Sequence, residues 1–166
     1  MLDVTLTWAQ AMWFLPVALP ISFYIAWTDM KFMRIPNKAV LLMIAGFAIT
    51  GLFALPLDEY LWRYAHLLVV LALGFLFASA GAMGAGDAKF ATAMAPFIAF
   101  QDLTLVLTLF AAMLLGAFVA HRLAGRVSVI RSATADWASW GETRDFPMGL
   151  ALGGTMVSYL VLPLVI

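Results

Sequence analysis

Six apolar segments, separated by short charged stretches, dictate what this chain can fold into. They run roughly over 8–27, 39–57, 64–83, 88–100, 103–121 and 146–166. Five approach the ~20 residues that a helix needs to cross the ~30 Å hydrocarbon core of a bilayer. Only 11% of the 166 residues are charged, less than half the usual share of about 25% in a soluble domain. Inside hydrocarbon every backbone N–H and C=O needs a partner within the protein, which makes helices the default spanning element. The expected fold is an all-α membrane protein, one integral membrane domain over residues 1–166.

The fourth segment is short. At 1.5 Å rise per residue it covers about 20 Å, so it either spans with local thinning or turns back as a re-entrant hairpin. The lysines and arginines decide between the two, because they accumulate on the cytoplasmic side. With six spans, Lys31, Arg34, Lys38, Lys89, Arg122, Arg126, Arg131 and Arg144 share one side and Arg63 stands alone on the other, eight against one. With five, the last four arginines change sides and the count becomes four against five. The sequence therefore predicts six transmembrane helices. The loops around 28–38, 84–89 and 122–145 are expected in the cytoplasm, while both termini and the acidic loop Asp58–Glu59 are expected outside.

The first apolar run is too long for the core of a signal peptide, is preceded by Asp3 without any lysine or arginine, and has no small-residue cleavage site before the next charges. It reads as an uncleaved helix. In the 122–145 loop, Val127, Ile130, Trp137 and Trp140 recur at near-helical spacing among Arg126, Arg131 and Asp136. That pattern predicts a short interfacial helix with its tryptophans at headgroup depth. Pro16 and Pro20 in the first segment and Pro96 in the fourth each remove a backbone donor, and either bend their helices or are satisfied by neighbours.

Several chemistries are excluded. There is no cysteine, hence no disulfide, thiolate nucleophile or cysteine-bound zinc. His66 and His121 lie on separate segments without neighbouring carboxylates, which argues against a metal site. A net charge of zero gives no electrostatic case for nucleic acid.

What remains is a pair of carboxylates. Asp29, in "AWTDMKFMRIPN", closes the first helix, and Asp87, in "GAMGAGDAKF", follows the third. Both helices run the same way, so the two ends share one depth and the carboxylates can face each other. Alone, Asp87 reads as a helix cap, and Lys31, Arg34 and Lys38 read as topology signals. Together, two carboxylates at the membrane edge make an acid/base pair in which burial and mutual repulsion favour a single shared proton. The ionised partner takes a proton from water, while the protonated one polarises a peptide carbonyl and later serves the leaving amine. Gly84 and Gly86 offer backbone angles and close approach that a side chain would deny.

"DMKFMRIPN" and "GAGDAKF" together resemble the type IV prepilin peptidases, the membrane aspartic proteases with a Gly-x-Gly-Asp motif. The first aspartate lies six residues before Ile35-Pro36-Asn37, and Gly84-x-Gly86-Asp87-Ala88-Lys89 follows the third helix. "FPMGLALGG" is similar to the family's Pro-x-Gly start of the last helix, through Pro147 and Gly149, with Met148 where the family often has an aromatic residue. Larger bacterial members add a cysteine-containing cytosolic segment and N-methylate the pilin. Lacking that segment, the chain resembles the short form found in tight-adherence, Flp-type pilus systems, with no methyltransferase activity implied.

The resemblance makes Asp29 and Asp87 the catalytic pair of an aspartic endopeptidase, with no cofactor or metal. Its substrate would be a prepilin with a short basic leader and one apolar helix, cut on the cytoplasmic side of the bacterial inner membrane. The other partners would be membrane lipid and the pilus assembly machinery. Pilins of this kind often carry a glutamate just after the cut, which makes Lys31, Arg34 and Lys89 candidate substrate-binding residues. Two other readings compete: a small transporter or proton-conducting subunit, which would want ionisable groups along a path near the midplane, and a non-catalytic scaffold of a pilus or secretion machine.

Overall fold

A computed structural model of the chain describes residues 4–142 and 145–166; Asp3 and Arg144, used above in reading the topology, lie outside them. The described residues form seven α-helices and no strand. Helix α1, Trp8–Phe32, starts at a capping box: Thr7 Oγ1 accepts from the Gln10 amide, and the Gln10 side chain accepts from the Thr7 amide. It ends at Met33 in the left-handed conformation, φ 49°, whose N–H returns to the Asp29 carbonyl. Pro36 then opens α2, Asn37–Ala54, and Pro56 opens α3, Leu57–Ser79.

Asp58 and Glu59, expected in a loop, sit in the first turn of α3. There the positive end of the helix dipole accommodates their charge. Helix α5, Leu103–Ala124, and helix α7, Met148–Val165, complete a set of five long apolar helices.

The fourth apolar segment departs from the expected single helix. Helix α4, Ala85–Met94, is followed by two short 3₁₀ turns, Ala95–Phe97 and Phe100–Asp102. The non-helical backbone finds partners on other helices. Arg63 donates to the Pro96 carbonyl, His66 Nδ1 pairs with the Ile98 carbonyl at 3.2 Å, and the Ala99 amide donates to the Tyr159 hydroxyl. These contacts run α4 and its turns antiparallel to α3, from Ala88 against Gly74 to Pro96 against Arg63. The stretch thereby crosses from the end of the molecule that holds Asp29 to the end that holds Leu6.

Helix α1 packs most extensively on α7. A Cβ on Gly153 would stand 2.9 Å from the Ser22 carbonyl oxygen, so glycine is what lets the two backbones meet. At the heart of the bundle Phe14, Phe47 and Phe97, all fully buried, contact one another at 5.1–6.0 Å between ring centroids. The outward faces of α3 and α5 are apolar and exposed, as at Phe75 and Leu115, the pattern of surfaces that face lipid. The loop after α5 holds a shorter helix than its spacing suggests, α6 over Ser128–Ala133, and Trp140 closes a separate 3₁₀ turn, Ala138–Trp140.

At the end opposite Asp29, the buried Asp102 carboxylate accepts from the Thr5 amide at 2.8 Å, the Leu6 amide at 3.1 Å and the Tyr159 hydroxyl at 2.8 Å. Asp102 precedes α5 and would pass for its cap, yet it makes no side-chain cap bond and instead ties three parts of the chain together. Arg63, near the same end, is buried and paired with Glu59 at 2.6 Å.

Candidate active site

Asp29 and Asp87 line one cavity of about 540 Å³ at the end of the bundle where α1 stops and α4 begins. Its other walls come from Met33, Arg34, Ile35, Pro36 and Asn37 on one side and Gly84, Ala85, Gly86 and Lys89 on the other. The two sequence signatures, Asp-x5-Ile-Pro-Asn and Gly-x-Gly-Asp-Ala-Lys, thus face each other across it. They are also joined directly: Lys89 Nζ donates to Asn37 Oδ1 at 3.2 Å.

The third signature meets Asp29. The Gly149 amide, at the start of α7, donates to Asp29 Oδ2 at 2.8 Å. A Cβ on Gly149 would lie 2.9 Å from the Asp29 Cβ, so only glycine brings this amide so near. Pro147, the N-cap residue of α7, precedes it. The amides of a helix's first turn have no partner within the helix, and one of them here orients a carboxylate.

Asp87 does not cap α4, contrary to the single-residue reading; Gly84 is the N-cap and Asp87 lies in the first turn. Gly84 and Gly86 do not take unusual backbone angles either, the positive-φ glycine of the described residues being Gly81. Their role is clearance. A Cβ on Gly84 would stand 2.5 Å from Asp87 Oδ2, and one on Gly86 would stand 3.3 Å from the Ile35 Cβ.

Asp87 lies outside the five long helices. Burial, and after it the neighbouring Asp29 charge, pushes its carboxyl up from 3.8 to about 7. A carboxyl that holds its proton near neutrality, beside a second carboxyl oriented by an amide, is equipped to exchange protons with a bound water or peptide.

The three candidate cations separate. Arg34 and Lys89 line the cavity. Lys31 does not; it is bound to Asp136 at 2.8 Å and lies over the rings of Trp27 and Phe32. Asp136, exposed and beside that ammonium, is held below its ordinary value. Among the described residues, no cluster of three or more histidines, aspartates and glutamates is arranged to hold a metal ion.

Sequence reasoning missed the Asp102 brace and the Lys31–Asp136 ion pair, both of which join residues about 100 positions apart that no local pattern connects.

A model of the type IV leader peptidase family matches residues 16–121 of this chain, a stretch that includes both cavity aspartates but ends before Gly149. Neither a curated protein nor a solved structure matches it.

Proposed function

The chain belongs to the type IV leader peptidase family, and on that premise we propose that it is an intramembrane aspartic endopeptidase removing the short leader of a prepilin at the cytoplasmic membrane face. The observation that carries this reading is the shared cavity of Asp29 and Asp87, with the Asp87 carboxyl held near neutrality.

In the mechanism we infer, Asp29, oriented by the Gly149 amide, takes a proton from a water in the cavity. Protonated Asp87 hydrogen-bonds the scissile carbonyl. The water oxygen bonds to the carbonyl carbon, the C–N bond breaks, and a proton from the pair goes to the departing amine. The pair ends with the proton count it began with, so both carboxyls act as one titrating unit.

The substrate's apolar helix would lie in the bilayer, with its leader reaching the cavity. The glutamate after the cut would pair with Arg34 or Lys89, the cations that face that space. In this reading the 88–100 segment is a sixth crossing, the cavity lies on the cytoplasmic side of a bacterial inner membrane and both chain ends lie outside, in line with the crowding of lysines and arginines in the loops around 28–38, 84–89 and 122–145. We read the chain as one domain, and its resemblance to the short form of the family implies no methyltransferase activity.

Co-expression with a candidate prepilin tests the proposal. Leader removal should proceed with the wild-type chain and fall by about a thousandfold with either Asp29→Asn or Asp87→Asn, each variant remaining in the membrane. Unimpaired cleavage by either variant overturns the shared-pair mechanism.

A further inference from the structure

A second cavity lies where α5 leaves the apolar zone. We propose that this cavity, between the end of α5 and the loop carrying Trp140, binds the phosphate headgroup of an anionic phospholipid. Its volume is about 250 Å³, against the roughly 30 Å³ share of one water molecule. Arg122, Arg126 and Arg131 line it, and neither the Lys31–Asp136 nor the Arg63–Glu59 ion pair draws on them. Three guanidinium groups around one space repel each other unless an anion sits between them. The planar fork of each suits the oxygens of a phosphate.

The floor of the cavity is built rather than incidental. The Trp140 ring stacks on His121 at 4.5 Å and 18°, and its indole N–H donates to the Thr134 carbonyl at 2.9 Å. The buried Ser139 hydroxyl pairs with His121 Nε2 at 3.1 Å. Gly125 admits the indole, since a Cβ there would stand 3.2 Å from Trp140 Cζ3. Arg131 lies over the Trp140 ring at 5.4 Å, so one cation is already positioned by the floor.

The surroundings favour a lipid as the source of the phosphate. Phe118, Val119 and Leu123 on α5, together with Val129 and Ile130 on α6, are exposed apolar side chains flanking the three arginines. A charged head within the cavity and acyl chains along those side chains would satisfy both surfaces at once. Basic pockets at the ends of membrane helices recognise anionic headgroups in this manner, and tryptophans settle at the same depth.

The test uses the full chain in nonionic detergent, with binding of phosphatidylglycerol and phosphatidylcholine followed by native mass spectrometry. Wild-type protein should prefer phosphatidylglycerol by at least about tenfold, and each of R122Q, R126Q and R131Q should weaken that binding by about fivefold. These side chains are exposed, so the single variants should fold and elute as wild type, which circular dichroism checks. K38Q, which removes an exposed cation outside the cavity, should leave binding unchanged. Equal affinity for the two lipids, no loss in the arginine variants, or an equal loss in K38Q would each overturn the proposal. Displacement of the lipid by millimolar inorganic phosphate would make free phosphate the ligand and overturn the lipid assignment, as would tighter binding of an acidic peptide.

Discussion

The Gly149 amide and the Asp29 carboxylate meet at 2.8 Å across 120 residues of sequence, joining the start of α7 to the end of α1. This contact gives the Pro-x-Gly signature its physical meaning. The glycine is required because its amide must reach a carboxylate whose Cβ would collide with any side chain at that position.

Gly149→Ala should therefore displace Asp29 rather than unfold the chain. A misplacement of about 1 Å at a reacting group costs on the order of a hundredfold in rate. Cleavage of a prepilin by purified G149A should fall by about that factor, with the variant still recovered from membranes in wild-type amounts.

The proton on Asp87 sets a pH limit. Its carboxyl titrates near 7, against 3.8 when unperturbed. Below 7 it is protonated and can donate; as pH rises through 7 the proton leaves and the acid is lost. Cleavage should decline about tenfold per unit above that point, because a single proton is removed. The stability linkage has the same sign, since a raised pKa stabilises the fold fully below 3.8 and that contribution disappears as pH rises through 7. Asp87→Asn should abolish this part of the pH dependence of thermal unfolding, as scanning fluorimetry in detergent can record. In Asp29→Asn the Asp87 carboxyl should remain above its ordinary value, because burial is the larger cause.

Charge reversal separates substrate contact from architecture. Arg34→Glu or Lys89→Glu should slow cleavage of wild-type pilin more than cleavage of a pilin whose glutamate after the cut is replaced by glutamine. Lys31→Glu should slow both equally, because Lys31 faces Asp136 and not the cavity. Initial rates on the two pilins decide the matter, and equal losses at Arg34 and Lys89 would remove the proposed ion pair.

Asp102→Ala should cost stability instead of chemistry. It strands two amides and the Tyr159 hydroxyl, and each unsatisfied buried group costs about 1–3 kcal/mol. A loss of about 3 kcal/mol or more in unfolding free energy is expected, and Tyr159→Phe, which strands the buried Ala99 amide, should lose about 1–3 kcal/mol. Cleavage per folded molecule should be retained in Asp102→Ala, since Asp102 lies at the opposite end from the cavity.

Much of this architecture can be read from the chain because charge and apolarity are local and additive. The long helices follow from them, and so does the common depth of Asp29 and Asp87. The shape of the fourth segment does not follow. Hydropathy reads 88–100 as one run, whereas the helix stops at Met94 because side chains from Arg63, His66 and Tyr159 serve the backbone beyond it. The start of α3 is hidden for a similar reason: Asp58 and Glu59 look like loop residues until the helix dipole is considered. Gly84 and Gly86 stand out in the sequence, but that they clear space for Asp87 and Ile35 emerges only in three dimensions. The separation of Lys31 from Arg34 and Lys89 likewise depends on Asp136, 105 positions away along the chain from Lys31.

The ten-residue length of α4 has a consequence for Asp87. At 1.5 Å per residue such a helix is about 15 Å long, too short to be held upright by the thickness of a bilayer. Its elevation is fixed from below, by grips that α3 and α7 place on the peptide groups of Pro96, Ile98 and Ala99. Asp87 thus stands on a pedestal whose footing belongs to its neighbours.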